Sequence, residues 1–259
     1  MTPFRITLSY DGAGFVGWQR QASGVSIQGL IEDVLQVLDG RPVTVIGAGR
    51  TDAGVHALAQ VAAFALAREI DPATLVRALN AHLPPAVRVL EAAIVPASFH
   101  PQFNAHAKAY RYRMFNADAL DPFERGRAWH LPGRLDVDAM RAAAPLLEGR
   151  HDFAAFQAVG SAVETTERHI FSSRIAECGS LTGSPSAILC YEVVGNGFLR
   201  HMVRIIVGSL VEIGRGRRPA EWLGRVLMSR DRTAAGPTAP SEGLFLVRVE
   251  YPTALAAGS

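Results

Sequence analysis

The chain has two cysteines, one lysine and no long apolar run. Two cysteines, Cys178 and Cys190, exclude a disulfide framework and a four-cysteine zinc site. They are expected as reduced, buried thiols of a cytoplasmic protein. No apolar stretch reaches the length of a membrane span. The opening MTPFRITLSY lacks the basic start, apolar block and small-residue cleavage site of a secretory leader. The expectations are therefore no membrane partner and a cytoplasmic location. His56, His82, His100, His106, His130, His151, His169 and His201 are scattered, and no pair has a tight ligand spacing, so no metal is expected. There is no G-x-S-x-G nucleophile elbow. In GAGRTD, Asp52 stands where a dinucleotide loop needs its third glycine, and no phosphate-loop Gly-Lys-Ser/Thr follows.

What is present reads as a folded chain. Of the 259 residues 49% are hydrophobic and 19% charged, and the net charge is +2. So small a net charge gives no strong global field toward nucleic acid, and any RNA must be gripped by a local patch. All the basic side chains except Lys108 are arginines. Compositional bias toward alanine and arginine is the plain cause, although the planar guanidinium is well suited to phosphates.

The hydrophobic pattern predicts two halves with the same element order. Phe4, Ile6, Leu8 and Tyr10 alternate as a half-buried strand. After the turn DGAGFVGW, SIQGLIEDVLQVLD has helical spacing, with Ser26 as N-cap. PVTVIGA enters and ALAQVAAFAL leaves the turn GRTDAGVHA, both as strands. DPATLVRALNAHL is a helix with Pro72 in its first turn, and AVRVLEAAIV is a strand. In the second half KAYRYRMF is a strand and LDVDAMRAAAPLLEG a helix ended near Pro145. RHIFSSRIAEC and SAILCYEVVG are strands joined by a Gly-, Ser- and Pro-rich turn. GFLRHMVRIIVGSLVEIG is a long helix, WLGRVLMS a further helix and GLFLVRVEY a last strand. PASFHPQFNAHA is the crossover, and TALAAGS a loose tail. The expected fold is α+β: two ferredoxin-like or RRM-like halves, 1–105 and 106–259, with antiparallel sheets side by side, helices on one face and a central cleft.

Several residues invite a functional reading, each with a structural alternative beside it. Asp52 could simply bond to backbone amides of its own turn. Lys108, Tyr110 and Tyr112 fall on one strand face, with Arg111 and Arg113 on the other. Tyrosines on a sheet pack, but beside cations they also suit stacking of an unpaired base. Leu199, Met202, Val203, Ile206, Leu210 and Ile213 form a buried helix stripe. Arg200 and Arg204 lie on another face with Gly208 and Glu212, solvated or held against a partly buried carboxylate.

In order along the chain, YDGAGFVGWQRQ, SIQGLIEDVL, GAGRTDAGVHA, AKAYRYR, DFAAF, GFLRHMVRIIVGSLVEIG and DRTAAGPTAPSEGLFLVRVEYP resemble the TruA-type tRNA pseudouridine synthases, from about Phe4 to Pro252. The resemblance implies conversion of uridine to pseudouridine at positions 38, 39 and 40 of the tRNA anticodon stem-loop. It also implies a homodimer that binds tRNA, with no metal or organic cofactor. It implies Asp52 as nucleophile, Tyr110 against the target base and Arg204 as the partner of the catalytic carboxylate. Leu244 is implied to line the uracil pocket, and Arg50, His56, Lys108 and Arg168 to act in substrate binding. In QAVGSAVETTERHI, Thr166, Arg168 and Ile170 fit the pattern and the first half does not. A non-catalytic RNA-binding scaffold with RRM-like sheets is the competing reading, and a carboxylate-dependent glycoside hydrolase a third.

Overall fold

Phe4, Ile6, Leu8 and Tyr10 are all buried in the first strand, as their alternation predicts. The computed structural model describes residues 1–160, 163–179 and 188–252. In chain order it contains β1 (Thr2–Tyr10), α1 (Ile27–Asp39), β2 (Ile46–Gly47), β3 (His56–Leu66), α2 (Pro72–His82), β4 (Val87–Ile94) and β5 (Ala107–Phe115). There follow β6 (Trp129–His130), α3 (Val137–Ala143), β7 (Gly149–Asp152), β8 (Glu167–Glu177), β9 (Ile188–Gly195), α4 (Met202–Gly214), α5 (Trp222–Ser229) and β10 (Leu244–Glu250). This is the expected α+β class. The chain divides into two units: Met1–Lys108 with the strand segment that starts at Phe245, and Ala109–Leu244. The tail TALAAGS and most of the turn expected between β8 and β9 lie outside the described residues.

In the first unit β1 is flanked by β3 and β4, both antiparallel, with Phe4 opposite Phe64 and Ile94. Beyond β3, β2 pairs with Ala62 and Ala63, and β10 runs parallel to its other end, Phe245 opposite His56. That parallel pairing departs from the all-antiparallel expectation. Helix α1 begins at the Ser26 cap, whose hydroxyl accepts from the Gly29 amide, and it buries Ile27, Ile31 and Leu35.

The segment PVTVIGA is less of a strand than its β-branched residues suggest. Only Ile46 and Gly47 pair as strand. The Val45 amide donates to Glu32 Oε1 at 3.2 Å, and its carbonyl accepts from Gln28 Nε2 at 2.9 Å. Side chains of α1 thus satisfy a backbone that the sheet would otherwise have claimed.

In the second unit the strand order is β5-β9-β8-β7, with β6 parallel to β5. The short strands β6 and β7 have no alternating pattern of their own and were not expected. Helix α4 is buried almost all round: Ile205, Val207 and Val211 join the expected stripe. It begins at Met202, later than its hydrophobic pattern, because His201 takes a left-handed conformation (φ 61°). Leu199 therefore lies outside the helix although it is buried. Cys178 and Cys190 correct the expectation of reduced thiols: they form a disulfide at the end of the β8–β9 pair, with Cα atoms 5.9 Å apart. Antiparallel pairing brings them together, a proximity that a spacing of 12 residues does not announce.

Candidate active site

Asp52 opens a tight turn between β2 and β3. The Val55 amide donates to the Asp52 carbonyl at 3.1 Å, and Gly54 supplies the positive φ of 76° that the turn needs. The carboxylate residue is half-buried, whereas Arg50 beside it is exposed and Thr51 is buried.

The segment between β1 and α1 holds this turn in place. Tyr10 is buried, and its hydroxyl lies 2.8 Å from Thr51 Oγ1. The Trp18 amide donates to the Thr51 carbonyl at 3.0 Å, and the Trp18 ring is itself buried. The Gly12 amide donates to His56 Nδ1 at 3.0 Å. The His56 ring stacks on Phe245 at 4.6 Å, with Asp11 Oδ1 3.1 Å from the same nitrogen. His56, expected among the substrate-binding residues, is 3% exposed within the chain. These partners give it a part in shaping the turn. Burial pushes the Tyr10 hydroxyl up to about 12, against the opposing hydrogen bonds of Thr51 and Gln60. Tyr10 therefore stays neutral at physiological pH.

In the second unit a different segment fixes Arg204. Its Nε donates to the Ala239 carbonyl at 2.8 Å, while the Ala239 amide donates to the Arg204 carbonyl at 3.1 Å. The loop approaches α4 so closely that a Cβ at Gly208 would lie 1.7 Å from the Pro237 carbonyl oxygen. One turn of helix after Arg204, only a residue without a side chain fits there. Ser209 Oγ accepts from the Gly236 amide at 2.9 Å and donates to the Ile205 carbonyl at 2.9 Å. The same loop runs on to Pro240, whose carbonyl accepts from the Tyr112 hydroxyl at 2.8 Å, and to Leu244, which is 6% exposed. Tyr112 is held far above the ordinary tyrosine range, chiefly by burial and then by the Glu242 carboxylate, with Arg204 opposing.

The tyrosines of β5 do not share one environment. Ala107 and Ala109 are buried in its first part, Tyr112 and Met114 in its second, so burial changes parity between them. Tyr112 is a core residue. Tyr110 is half-buried, with its ring edge-on to Phe198 at 5.0 Å. Lys108 is half-buried. Arg168 Nη1 donates to the carbonyls of Thr165 and Glu167 at 2.9 and 2.6 Å, and burial disfavours its charge. Thr166 Oγ1 donates to the Asp152 carboxylate and holds it below the usual carboxylate range.

Sequence reasoning took Asp52, Tyr110 and Arg204 from the resemblance. It missed the supports: Tyr10, Thr51 and Trp18 around the carboxylate turn, and Ala239 beneath the guanidinium. The signal for the first group was DGAGFVGW, read simply as a turn. For the second it was GPTAP, which carries no periodicity.

In the first unit Asp52 is a half-buried carboxylate on a braced turn; in the second, Arg204 is clamped to Ala239 and Tyr110 is half-buried. A family model described as tRNA pseudouridine synthase matches residues 6–104 and 143–252. The chain is 43% identical over 251 residues to tRNA pseudouridine synthase A of Syntrophotalea carbinolica, covering 97% of each chain. It is 46% identical over 254 residues to the enzyme of that name from Solibacter usitatus, covering 97% of this chain and 100% of the relative. To that of Methylacidiphilum infernorum it is 44% identical over 250 residues, covering 96% and 95%. The chain belongs to the tRNA pseudouridine synthase family.

Proposed function

We propose that this chain isomerises uridine to pseudouridine in tRNA at positions 38, 39 and 40 of the anticodon stem-loop, with Asp52 as the nucleophile. It works as a homodimer in the cytoplasm. The observation that carries the reading is Asp52 itself: a half-buried carboxylate on a turn braced by the buried Tyr10, Thr51 and Trp18, in a chain of this family.

The reaction breaks the N1–C1′ bond, turns the base and forms a C5–C1′ bond. The C5 proton leaves to solvent and N1 takes one up, so the product is an isomer. A carboxylate can attack or stabilise C1′ as positive charge develops there, as the nucleophile of a retaining glycosidase does. Attack at C6 and removal of a sugar proton start from the same ionised group. Uracil departs as a delocalised anion, which lessens the need for a second acidic carboxyl.

In this reading Arg204 is the arginine that the family resemblance pairs with the catalytic carboxylate. Extruding the target nucleotide costs a few kcal/mol. Stacking on Tyr110 returns about 1–3 kcal/mol. The stacking role is favoured over proton transfer because an ordinary phenol, with a pKa of about 10, is a poor base at neutral pH. Leu244 confines the detached base and keeps water from the sugar. Arg50, Lys108 and Arg168 meet the RNA backbone, and His56 acts through the shape of the Asp52 turn.

Tritium release from tRNA labelled at uridine C5 tests the reading. The wild-type chain should release tritium and Asp52→Asn should not. A scaffold without catalysis would bind tRNA and release none, and a glycoside hydrolase would act on small glycosides without RNA.

A further inference from the structure

The crossover from 96 to 106 exposes an aromatic ring on a loop crossed by several hydrogen bonds. Phe103 is 77% exposed, and its ring stacks on His100 with centroids 4.2 Å apart and planes 25° apart. His100 Nδ1 accepts from the amides of Gln102 and Phe103, both at 3.2 Å. The His100 amide donates to Asn104 Oδ1 at 2.7 Å, and the Asn104 amide returns to the His100 carbonyl at 3.0 Å. The Tyr251 hydroxyl donates to the Pro101 carbonyl at 2.6 Å, and its ring packs on Phe99 at 5.2 Å. Phe99 in turn is buried in a cluster with Ala48, the residue that leads into Gly49, Arg50 and Asp52. The loop is thus fastened at its base, crossed by side-chain bonds at its tip and anchored beside the strand end that carries the nucleophile.

A loose loop exposes a phenyl ring by accident. This one holds it out, forgoing the burial that ordinarily stabilises phenylalanine. The neighbours along the loop are polar: Gln102, Asn104 and His106, the last with half its side chain in solvent. An aromatic face within a polar rim, with one face backed by a second ring, suits a nucleobase better than an apolar protein surface. Every base offers a π-face, and the rim can bond to base edges, sugar and phosphate.

We propose that Phe103, braced by His100, is a stacking platform for an unpaired base of the substrate RNA, separate from the nucleotide that reacts. The proposal rests on the synthase reading for the identity of the RNA. The platform adds affinity and register and takes no part in bond breaking.

The test compares wild type, Phe103→Ala, Phe103→Trp and His100→Ala with unmodified tRNA transcript, reading affinity by filter binding and turnover by tritium release. Phe103→Ala should weaken binding about 5- to 150-fold, the equivalent of one base stack. KM should rise by a similar factor and kcat should hold. Phe103→Trp should keep wild-type affinity, and His100→Ala should fall between. A transcript carrying 2-aminopurine in the anticodon loop should be quenched on binding wild type and less so with Phe103→Ala. Unchanged affinity and quenching in Phe103→Ala would overturn the proposal. So would a shift of that variant to monomer in sedimentation, which would make a second copy of the chain the occupant. Phe103-dependent RNA binding by a wild-type protein that releases no tritium would support the platform and defeat the synthase reading instead.

Discussion

The Tyr10 hydroxyl lies 2.8 Å from Thr51 Oγ1, in the buried interior of the first unit and one residue before Asp52. The bond joins the end of β1 to the turn that carries the carboxylate. Tyr10→Phe keeps the ring and removes the bond, at a cost of about 1 kcal/mol in stability. For Asp52 as the proposed nucleophile, loosening is penalised more heavily in rate, since small misplacements of reacting groups cost up to about 100-fold. The expected outcome is a kcat lowered by about tenfold or more with tRNA affinity retained. Equal losses in kcat and affinity would make the bond a general fold contact.

The same hydroxyl sets a pH dependence. Burial raises Tyr10 from 10 to about 12. Below about 10 the group is protonated in folded and unfolded chains alike, and its contribution to stability is whole. Between about 10 and 12 the unfolded chain ionises first, so stability falls as pH rises, by roughly 3 kcal/mol for two units. Denaturant titrations at pH 8 to 12 should show this loss. Tyr10→Phe should lose less over the same interval, while the buried Tyr112 and Tyr191, also raised by burial, maintain part of the slope.

Arg204 offers a separation of charge from shape. Its Nε bond to the Ala239 carbonyl uses the guanidinium fork, which a lysine cannot reproduce. Arg204→Ala should lower kcat by about 10²- to 10³-fold, the usual penalty for removing one preorganised electrostatic partner. tRNA binding should change little. Arg204→Lys should recover a minor part of the rate. Single-turnover tritium release and filter binding on the same preparations check this. A loss confined to binding would assign Arg204 to phosphate recognition.

Gly208 tests the loop that carries Arg204's partner. Alanine there would place a Cβ 1.7 Å from the Pro237 carbonyl oxygen, so the loop must move off α4. Overpacking of this kind typically costs about 1–3 kcal/mol. Gly208→Ala should therefore lower the midpoint of chemical denaturation and also turnover, because Ala239 and Leu244 lie on the displaced segment. Wild-type turnover in a destabilised variant would uncouple the loop from the chemistry.

How much of this was legible in the sequence follows from where each signal resides. Strand β1, helices α1 and α5 and the end of α3 before Pro145 are written in period and caps, and they lie where the pattern puts them. The pattern failed where side chains took over backbone bonding, as Gln28 and Glu32 do at Val45. It failed again where one residue turned left-handed, as His201 does ahead of α4. Cys178 and Cys190 meet through strand pairing, which spacing does not reveal. Asp52 and Arg204 stand out only through whole motifs, since an aspartate in a glycine turn or an arginine on an apolar helix is individually commonplace. Their supports come from segments distant in sequence: Tyr10 is 41 residues from Thr51, and Ala239 is 35 from Arg204. Nothing local identifies such partners.

The central claim is that one carboxylate starts the reaction. Its most direct measurement is single-turnover conversion of uridine at positions 38 to 40 in a tRNA transcript, read as pseudouridine-specific carbodiimide stops, with Asp52→Asn beside wild type. The account predicts stops with the wild-type chain and none with Asp52→Asn, although that variant still binds the transcript. Pseudouridine formed by Asp52→Asn at the wild-type rate would contradict it.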